Sequence, residues 1–400
     1  MNSEPKAEPD RHIARGHLLA LDGIRGLAIL MVIGSHAFES NYATRGPWLY
    51  AVGRLLYYGL FGVDLFFVLS GFLITGILFD SLGDDGYFRK FYARRTLRIF
   101  PLYYGVLAVC FLLTRPLHLH WGSMGWLLVF YLQNLHPKEI MSFSPGDYIQ
   151  LYHFWSLAVE EQFYLIWPAV VFLVRGKRRL MVTMVAGSGA ALLLRLGLLA
   201  AGASGFVVHV TMVCRADSLL LGGALALLYR SKRWAQVQKV APWGFLGAAV
   251  ITVASIEWLK PILAPYPLYS VLWGNGLSYS VLAIGFAWLI AWSLEAGTGC
   301  AWIFEQRWLR FLGKYSYGLY VLHVMVLTAL AVPLREALVG ATHNKVVGVV
   351  GSGLICIALS IVAAYASYHL YEKRFLQMKH RFDYSRKALN HGSPDDAFTR

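Results

Sequence analysis

The sequence predicts an all-α, polytopic membrane helix bundle of about ten transmembrane helices, on three observations. Of its 400 residues, 57% are hydrophobic and only 14% charged, a balance outside that of soluble domains. Apolar windows of the roughly 20 residues needed to cross about 30 Å of hydrocarbon recur along the chain with short loops between them. Most of the 36 Lys and Arg residues fall in alternate loops, the asymmetry that orients membrane proteins.

These windows place spans near 18–38, 55–79, 99–114, 153–174, 180–201, 206–229, 242–259, 268–293, 308–332 and 346–371. A shorter apolar stretch, Trp121 to Leu135, reads as an extra re-entrant or interfacial segment. Were it a span, the basic loops "RGKRR" (Arg175–Arg179) and "RSKRW" (Arg230–Trp234) would move to the outer side, against the positive-inside bias. Both termini are therefore expected in the cytoplasm and the chain in the cytoplasmic (inner) membrane.

One membrane domain is expected over 17–376. A polar cytoplasmic segment at 1–16, without the features of a cleaved signal peptide, precedes it, and a disordered cytoplasmic tail at 377–400 follows. The net charge of +14 is accounted for by orientation; nucleic-acid binding is not expected, because no basic patch has a domain to sit on. The four cysteines are scattered without CxxC spacing, so neither a metal site nor a disulfide framework is indicated.

Ionisable groups inside spans are costly and mark sites. In "RGLAILMVIGSH", Arg25 and His36 bound an otherwise apolar helix. Eleven residues rotate a helix by about 1100°, three turns plus about 20°, so the two share a face roughly 16 Å apart, Arg25 toward the cytoplasm. "YHFWSLAVEEQFYLIWP" carries Glu160 on the same face as His153, and Glu161 points about 100° away. An ion pair with Arg195 or Arg215 is the structural alternative for these acids. Asp64 in "GVDLFFVLSGFLIT" has three open roles: catalysis, orienting His36, or pairing with Arg215. Asp217 and His323 complete the intramembrane set. Before the third span, Arg94, Arg95 and Arg98 suit either positive-inside anchoring or phosphate capture, with Arg94 and Arg98 one helical turn apart.

Six segments in order, "LDGIRGLAILMVIGSH", "GVDLFFVLSGFLI", "RRTLRIFP", "HFWSLAVEEQFYLIWP", "CRADSLLLGGALA" and "YSYGLYVLH", resemble the acyltransferase family 3, the integral-membrane O-acyltransferases of surface glycans and small molecules. The resemblance implies transfer of an acyl group, often acetyl from acetyl-CoA on the cytoplasmic side, to a hydroxyl at the outer face. It makes Arg25 and His36 the essential arginine and histidine, Glu160 the acid of "SLxVE", and Arg94, Arg95 and Arg98 the arginine motif at the donor mouth. The expected catalytic set is His36, Glu160, Asp64 and Arg25; the expected donor-binding set is Arg25, Arg94, Arg95 and Arg98. His36 would act as general base or acyl carrier, with Glu160 or Asp64 fixing its tautomer. No permanently bound cofactor is expected. Acyl-CoA is the co-substrate, a glycan or other hydroxyl-bearing acceptor and the lipid bilayer are partners, and a homodimer is left open. Some relatives carry an appended periplasmic domain; with only a short tail following the last span here, acceptor selectivity is expected to reside in the membrane domain. A transporter or flippase, with the buried Asp, Glu, His and Arg as proton relay or substrate path, is the alternative.

Overall fold

The computed structural model describes residues 18–38, 53, 56, 58–143, 149–255, 262 and 272–384. The segment expected at 1–16, the ends of the spans expected at 242–259 and 268–293, and 385–400 of the expected tail lie outside them. Among the described residues the chain is all-α, and ten helices are long and apolar enough to cross a membrane.

In order, the elements are α1 (Leu19–Phe38), α2 (Gly62–Asp80), α3 (Tyr87–Leu112), the short α4 (Met124–Val129) and α5 (Pro137–Ser142), α6 (Trp155–Val174), α7 (Lys177–Ala200), the short α8 (Gly205–Val210), α9 (Met212–Tyr229), α10 (Trp234–Ala254), α11 (Ser278–Ser293), the short α12 (Gly299–Phe304) and α13 (Arg307–Lys314), α14 (Ser316–Thr342) and α15 (Lys345–Ser367). One long helical segment follows from α15 through a π-helical turn, Tyr368–Glu372, to Phe382. Helical backbone thus reaches into the segment expected to be tail.

Several span boundaries differ from expectation: α10 begins at Trp234 rather than 242, α14 runs to Thr342 rather than 332, and the window at 206–229 divides into α8 and α9; two further differences share a reason, the basic residues next to them. The third helix begins at Tyr87 rather than near 99, because "FRKFYARRTLR" continues the helix beyond the apolar window and carries its guanidinium groups with it. The window at 308–332 divides into α13 and α14. In α13, Arg307, Arg310 and Lys314 are spaced i, i+3, i+7 and share one face, a basic stripe that belongs at a polar boundary and not in hydrocarbon.

Trp121–Leu135 does not cross. The helix inside it, α4, has six residues, only about 9 Å of rise, and a 3-10 turn, Gln133–Leu135, follows. Irregular backbone at membrane depth requires protein partners, and α3 supplies them: the Tyr103 hydroxyl donates to Leu128 O at 2.7 Å and the Tyr104 hydroxyl to Val129 O at 2.8 Å. Gln162 of α6 donates to Tyr131 O at 2.8 Å and to Asn134 Oδ1 at 2.7 Å.

Packing rests on small residues, because lipid gives membrane helices no hydrophobic reason to associate and close approach must be earned by shape. A Cβ at Gly71 of α2 would collide with the Leu219 carbonyl oxygen of α9, and one at Gly222 of α9 with the Val68 carbonyl oxygen of α2. The same device seats α1. Gly23 abuts the carbonyl of Phe304, Gly26 that of Leu309, and Gly313 of α13 that of Asp22. These contacts set the basic face of α13 beside the Arg25 end of α1.

Gly71→Ala and Gly222→Ala should each cost about 1–3 kcal/mol by overpacking, lowering the melting temperature and the monodisperse yield in detergent. Gly189→Ala and Gly197→Ala, whose added methyl groups meet nothing within 4 Å, should leave both unchanged in the same measurement.

Candidate active site

The intramembrane charges fall into two groups. Arg195 of α7 grips Asp217 of α9 through two hydrogen bonds of 2.8 and 3.1 Å and also donates to Ser280 Oγ at 2.7 Å and Gly276 O at 2.9 Å. Asp64 of α2 is ion-paired with Arg215 of α9, and both are buried. Asp64, expected among the catalytic residues, thus pairs with Arg215 at the α2–α9 crossing, one of the three roles open to it, and has no contact with His36 among the described residues. Neither arginine reaches Glu160. Arg230, at the end of α9, closes a third pair with Asp80 at 2.5 Å.

The remaining charges line two cavities that share Arg25, Arg98 and Tyr317. The wider, about 660 Å³, carries Arg25, Arg98, Arg307, Arg310, Lys314 and Lys379, opposed by Asp22 and Glu372. Arg25 donates to Asp22 at 3.0 Å. Lys314 lies 5.2 Å from the centres of both the Tyr315 and Tyr368 rings, so the cavity combines cations with aromatic faces. The narrower, about 110 Å³, runs among apolar side chains of α2, α3, α6 and α14. Its polar lining includes Ser70, Arg95, Glu160, Glu161 and Tyr164. The Ser70 and Tyr164 hydroxyls bond each other beside Glu160 in the cavity lining, and the Arg95 guanidinium sits 5.6 Å from the centre of the Tyr164 ring. Glu161 keeps one buried carboxylate oxygen without a hydrogen-bond partner.

The three arginines expected together at the donor mouth are separated. Arg95 lines the narrow cavity and Arg98 both. Arg94 turns away to an ion pair with Asp383, to the carbonyls of Lys379 and Phe382 at 3.4 and 3.5 Å, and to the Tyr384 ring. It fastens the end of the α15 segment to α3. On a helix, residues one apart diverge by about 100°, so a cluster of adjacent arginines cannot share one pocket without some of them facing elsewhere.

At the other end of α1, His36 Nδ1 lies 2.9 Å from His323 Nε2 of α14. His323 Nδ1 sits 3.0 Å from Leu319 O and 2.8 Å from Tyr320 O. His153 packs against His323 with ring centres 5.3 Å apart and bonds Val321 O at 3.3 Å, and the Tyr152 ring meets the edge of His36. Tyr320 connects this cluster to the narrow cavity, which it lines; its hydroxyl donates to His153 O at 2.8 Å and pairs with Ser156. Arg25 and His36 therefore stand at opposite ends of one unbroken helix, on the shared face that their spacing predicts. Glu160 sits beside the narrow cavity, not at His36. Sequence reasoning gave no role to His323, to the α13 residues Arg307, Arg310 and Lys314, or to Lys379. The i, i+3, i+7 basic spacing in "RWLRFLGK" is the signal that could have found the α13 face.

A family model described as an acyltransferase domain matches residues 18–369. The chain belongs to this acyltransferase family. It is 30% identical over 347 residues to the peptidoglycan O-acetyltransferase OatA of Listeria monocytogenes, covering 81% of this chain and 51% of OatA. It is 29% identical over 395 residues to YrhL of Bacillus subtilis, provisionally assigned as a peptidoglycan O-acetyltransferase, covering 94% of this chain and 57% of YrhL. A provisionally assigned O-acetyltransferase of Staphylococcus aureus (strain COL) is 27% identical over 325 residues, 78% of this chain and 51% of the relative. The chain spans about half the length of these relatives. No solved structure matches it.

Leaving either member of the Asp64–Arg215 pair alone and charged should cost about 3–5 kcal/mol, whereas replacing both by apolar residues is nearly neutral. Arg215→Leu should therefore lose most of its thermal stability in detergent, and Asp64→Leu combined with Arg215→Leu should recover it.

Proposed function

We propose that the chain is an O-acyltransferase of the cytoplasmic (inner) membrane that moves an acyl group, acetyl foremost, from acyl-CoA to a hydroxyl of a cell-surface or lipid-linked glycan. The observation that carries this reading is the pair of unequal cavities meeting at Arg25 and Arg98. Coenzyme A has two ends of opposite character: a nucleotide with phosphates that cannot enter hydrocarbon, and a long, mostly uncharged arm ending in the thioester. The wide cavity matches the first. Guanidinium groups bind phosphate oxygens bidentately, and Tyr315 and Tyr368 offer faces for an aromatic base. The narrow cavity matches the second, with Ser70, Tyr164 and Glu160 to bond the amides of the arm.

His36 serves as general base toward the acceptor hydroxyl. As the hydroxyl oxygen attacks the thioester carbonyl carbon, its proton passes to His36, the C–S bond breaks, and the departing sulfur takes a proton back. The Arg25 end faces the cytoplasm, where acyl-CoA resides, and the alternate-loop charge bias supports that orientation. The glycan acceptor is supported by the names of OatA and YrhL, both assigned to peptidoglycan. A transporter reading has no comparable support, since the family is one of acyltransferases.

Loss of one charge-assisted phosphate contact costs about 1.5–3 kcal/mol. Arg98→Ala and Arg310→Ala should therefore each raise the KM for acyl-CoA by roughly 10- to 100-fold with little change in kcat, measured by transfer of labelled acyl groups in detergent or membrane vesicles. Arg94→Ala should leave that KM near the wild-type value; a rise equal to that of Arg98→Ala would refute the assignment of the wide cavity to the nucleotide.

His36→Ala should abolish acylation of surface glycans, seen by mass spectrometry as disappearance of one acyl mass, while acyl-CoA binding persists. Retained acylation in that variant would overturn the proposed function. Label covalently held at His36 after a quench without acceptor would replace general-base catalysis by an acyl-histidine route.

A further inference from the structure

We propose that His323 is a positioning residue for the transfer reaction: it locks His36 in the tautomer that leaves Nε2 free as the base, and it shares the charge that His36 acquires. The inference rests on the reading of His36 as general base and is carried by proton bookkeeping across three hydrogen-bonding groups.

Carbonyl oxygens only accept hydrogen bonds. His323 Nδ1, at 3.0 Å from Leu319 O and 2.8 Å from Tyr320 O, must therefore carry a proton. A neutral imidazole has one N–H, so His323 Nε2 holds a lone pair. That lone pair faces His36 Nδ1 at 2.9 Å, which must then be the donor. A neutral His36 is left with its lone pair on Nε2, which makes no hydrogen bond among the described residues.

The reverse assignment, with His323 donating from Nε2, would make His323 an imidazolium. Among the described residues, the titratable groups that meet the two rings are His36 from α1, Tyr152 and His153 from the turn before α6, and Tyr320 from α14 itself. None is a carboxylate, and His323 is fully buried, so a resting cation there would stand uncompensated.

The arrangement also accounts for charge during the reaction. When the acceptor hydroxyl attacks the thioester carbon, its proton moves to His36 Nε2. The imidazolium so formed keeps its Nδ1–H on His323, and His323 passes the polarisation to the two backbone carbonyls of α14. The proton on His36 Nε2 then goes to the thiolate released as the C–S bond breaks, which restores the starting tautomer. Two carbonyls and a neutral imidazole thereby do what a carboxylate does in hydrolase triads, orienting the base and stabilising its cation. This explains why neither Glu160 nor Asp64 needs to reach His36.

The test compares three substitutions of His323 in the full-length protein in membranes. Glutamine places its terminal amide near the position of the imidazole Nε2 and can accept from His36 Nδ1; asparagine stops short, near the position of Nδ1; leucine offers nothing. His323→Leu and His323→Asn should lower kcat by roughly 100-fold or more with the KM for acyl-CoA unchanged, and His323→Gln should stay within about tenfold of wild type. A wild-type kcat in His323→Leu, or equal rates in the asparagine and glutamine variants, would overturn the proposal. If the leucine variant does not fold, the asparagine and glutamine pair decides alone, with melting temperature and acyl-CoA binding as controls. His36→Ala run in parallel separates the two levels: if it is inactive and His323→Leu is fully active, only the role of His323 falls. If His36→Ala is active, the proposed function falls with it.

Discussion

A charge inside hydrocarbon must be paired or kept wet, and that constraint sorts the whole bundle. Arg195, Arg215 and Arg230 each hold an aspartate on a neighbouring helix, and the acids are consumed in doing so. Arg25, Arg95 and Arg98 instead line cavities. The first group ties α2, α7 and α9 into one block; the second faces the space left between that block, α1, α3 and α14. Structure and chemistry thus use the same residue type, and what separates them is whether a carboxylate on an adjacent helix neutralises the guanidinium.

Close approach of backbones makes that sorting geometrically possible. Short side chains such as aspartate can meet an arginine across two helices only where glycine lets the helices touch, as Gly71 and Gly222 do beside Asp64 and Arg215. The glycines of "LDGIRG" do the same for α1 against α12 and α13. This explains on packing grounds why Arg25 sits in a glycine-flanked stretch: the residues around it are small so that a second basic helix can stand alongside.

Much of this was legible in the sequence, and the reasons for what was not are physical. Hydrocarbon thickness fixes span length, so the ten helices and the non-crossing Trp121–Leu135 segment followed from apolar windows and charge bias. Helical periodicity placed Arg25 and His36 on one face. What periodicity cannot give is which helix packs against which. The sequence leaves Asp64 three roles because it does not place α9 beside α2, and nothing in it places His323 of α14 beside His36 of α1. Basic residues also blurred boundaries, since a helix continues through "FRKFYARRTLR" and stops within "RWLRFLGKYSYG" for reasons of polarity and packing that a hydropathy window does not sense.

The wide cavity is walled by Asp22 and Arg25 from the first span and by Glu372, Leu376 and Lys379 from the segment after α15, with Arg94 clasping that segment at Asp383. Residues of the first span and residues of the segment after α15 therefore meet across the same space. During synthesis the early helices can enter the bilayer and pack, but the basic chamber stays open-sided until the end of the α15 segment arrives. The cavity is thus closed by the order of events as well as by shape, and its wall is complete only as insertion of this helical domain finishes.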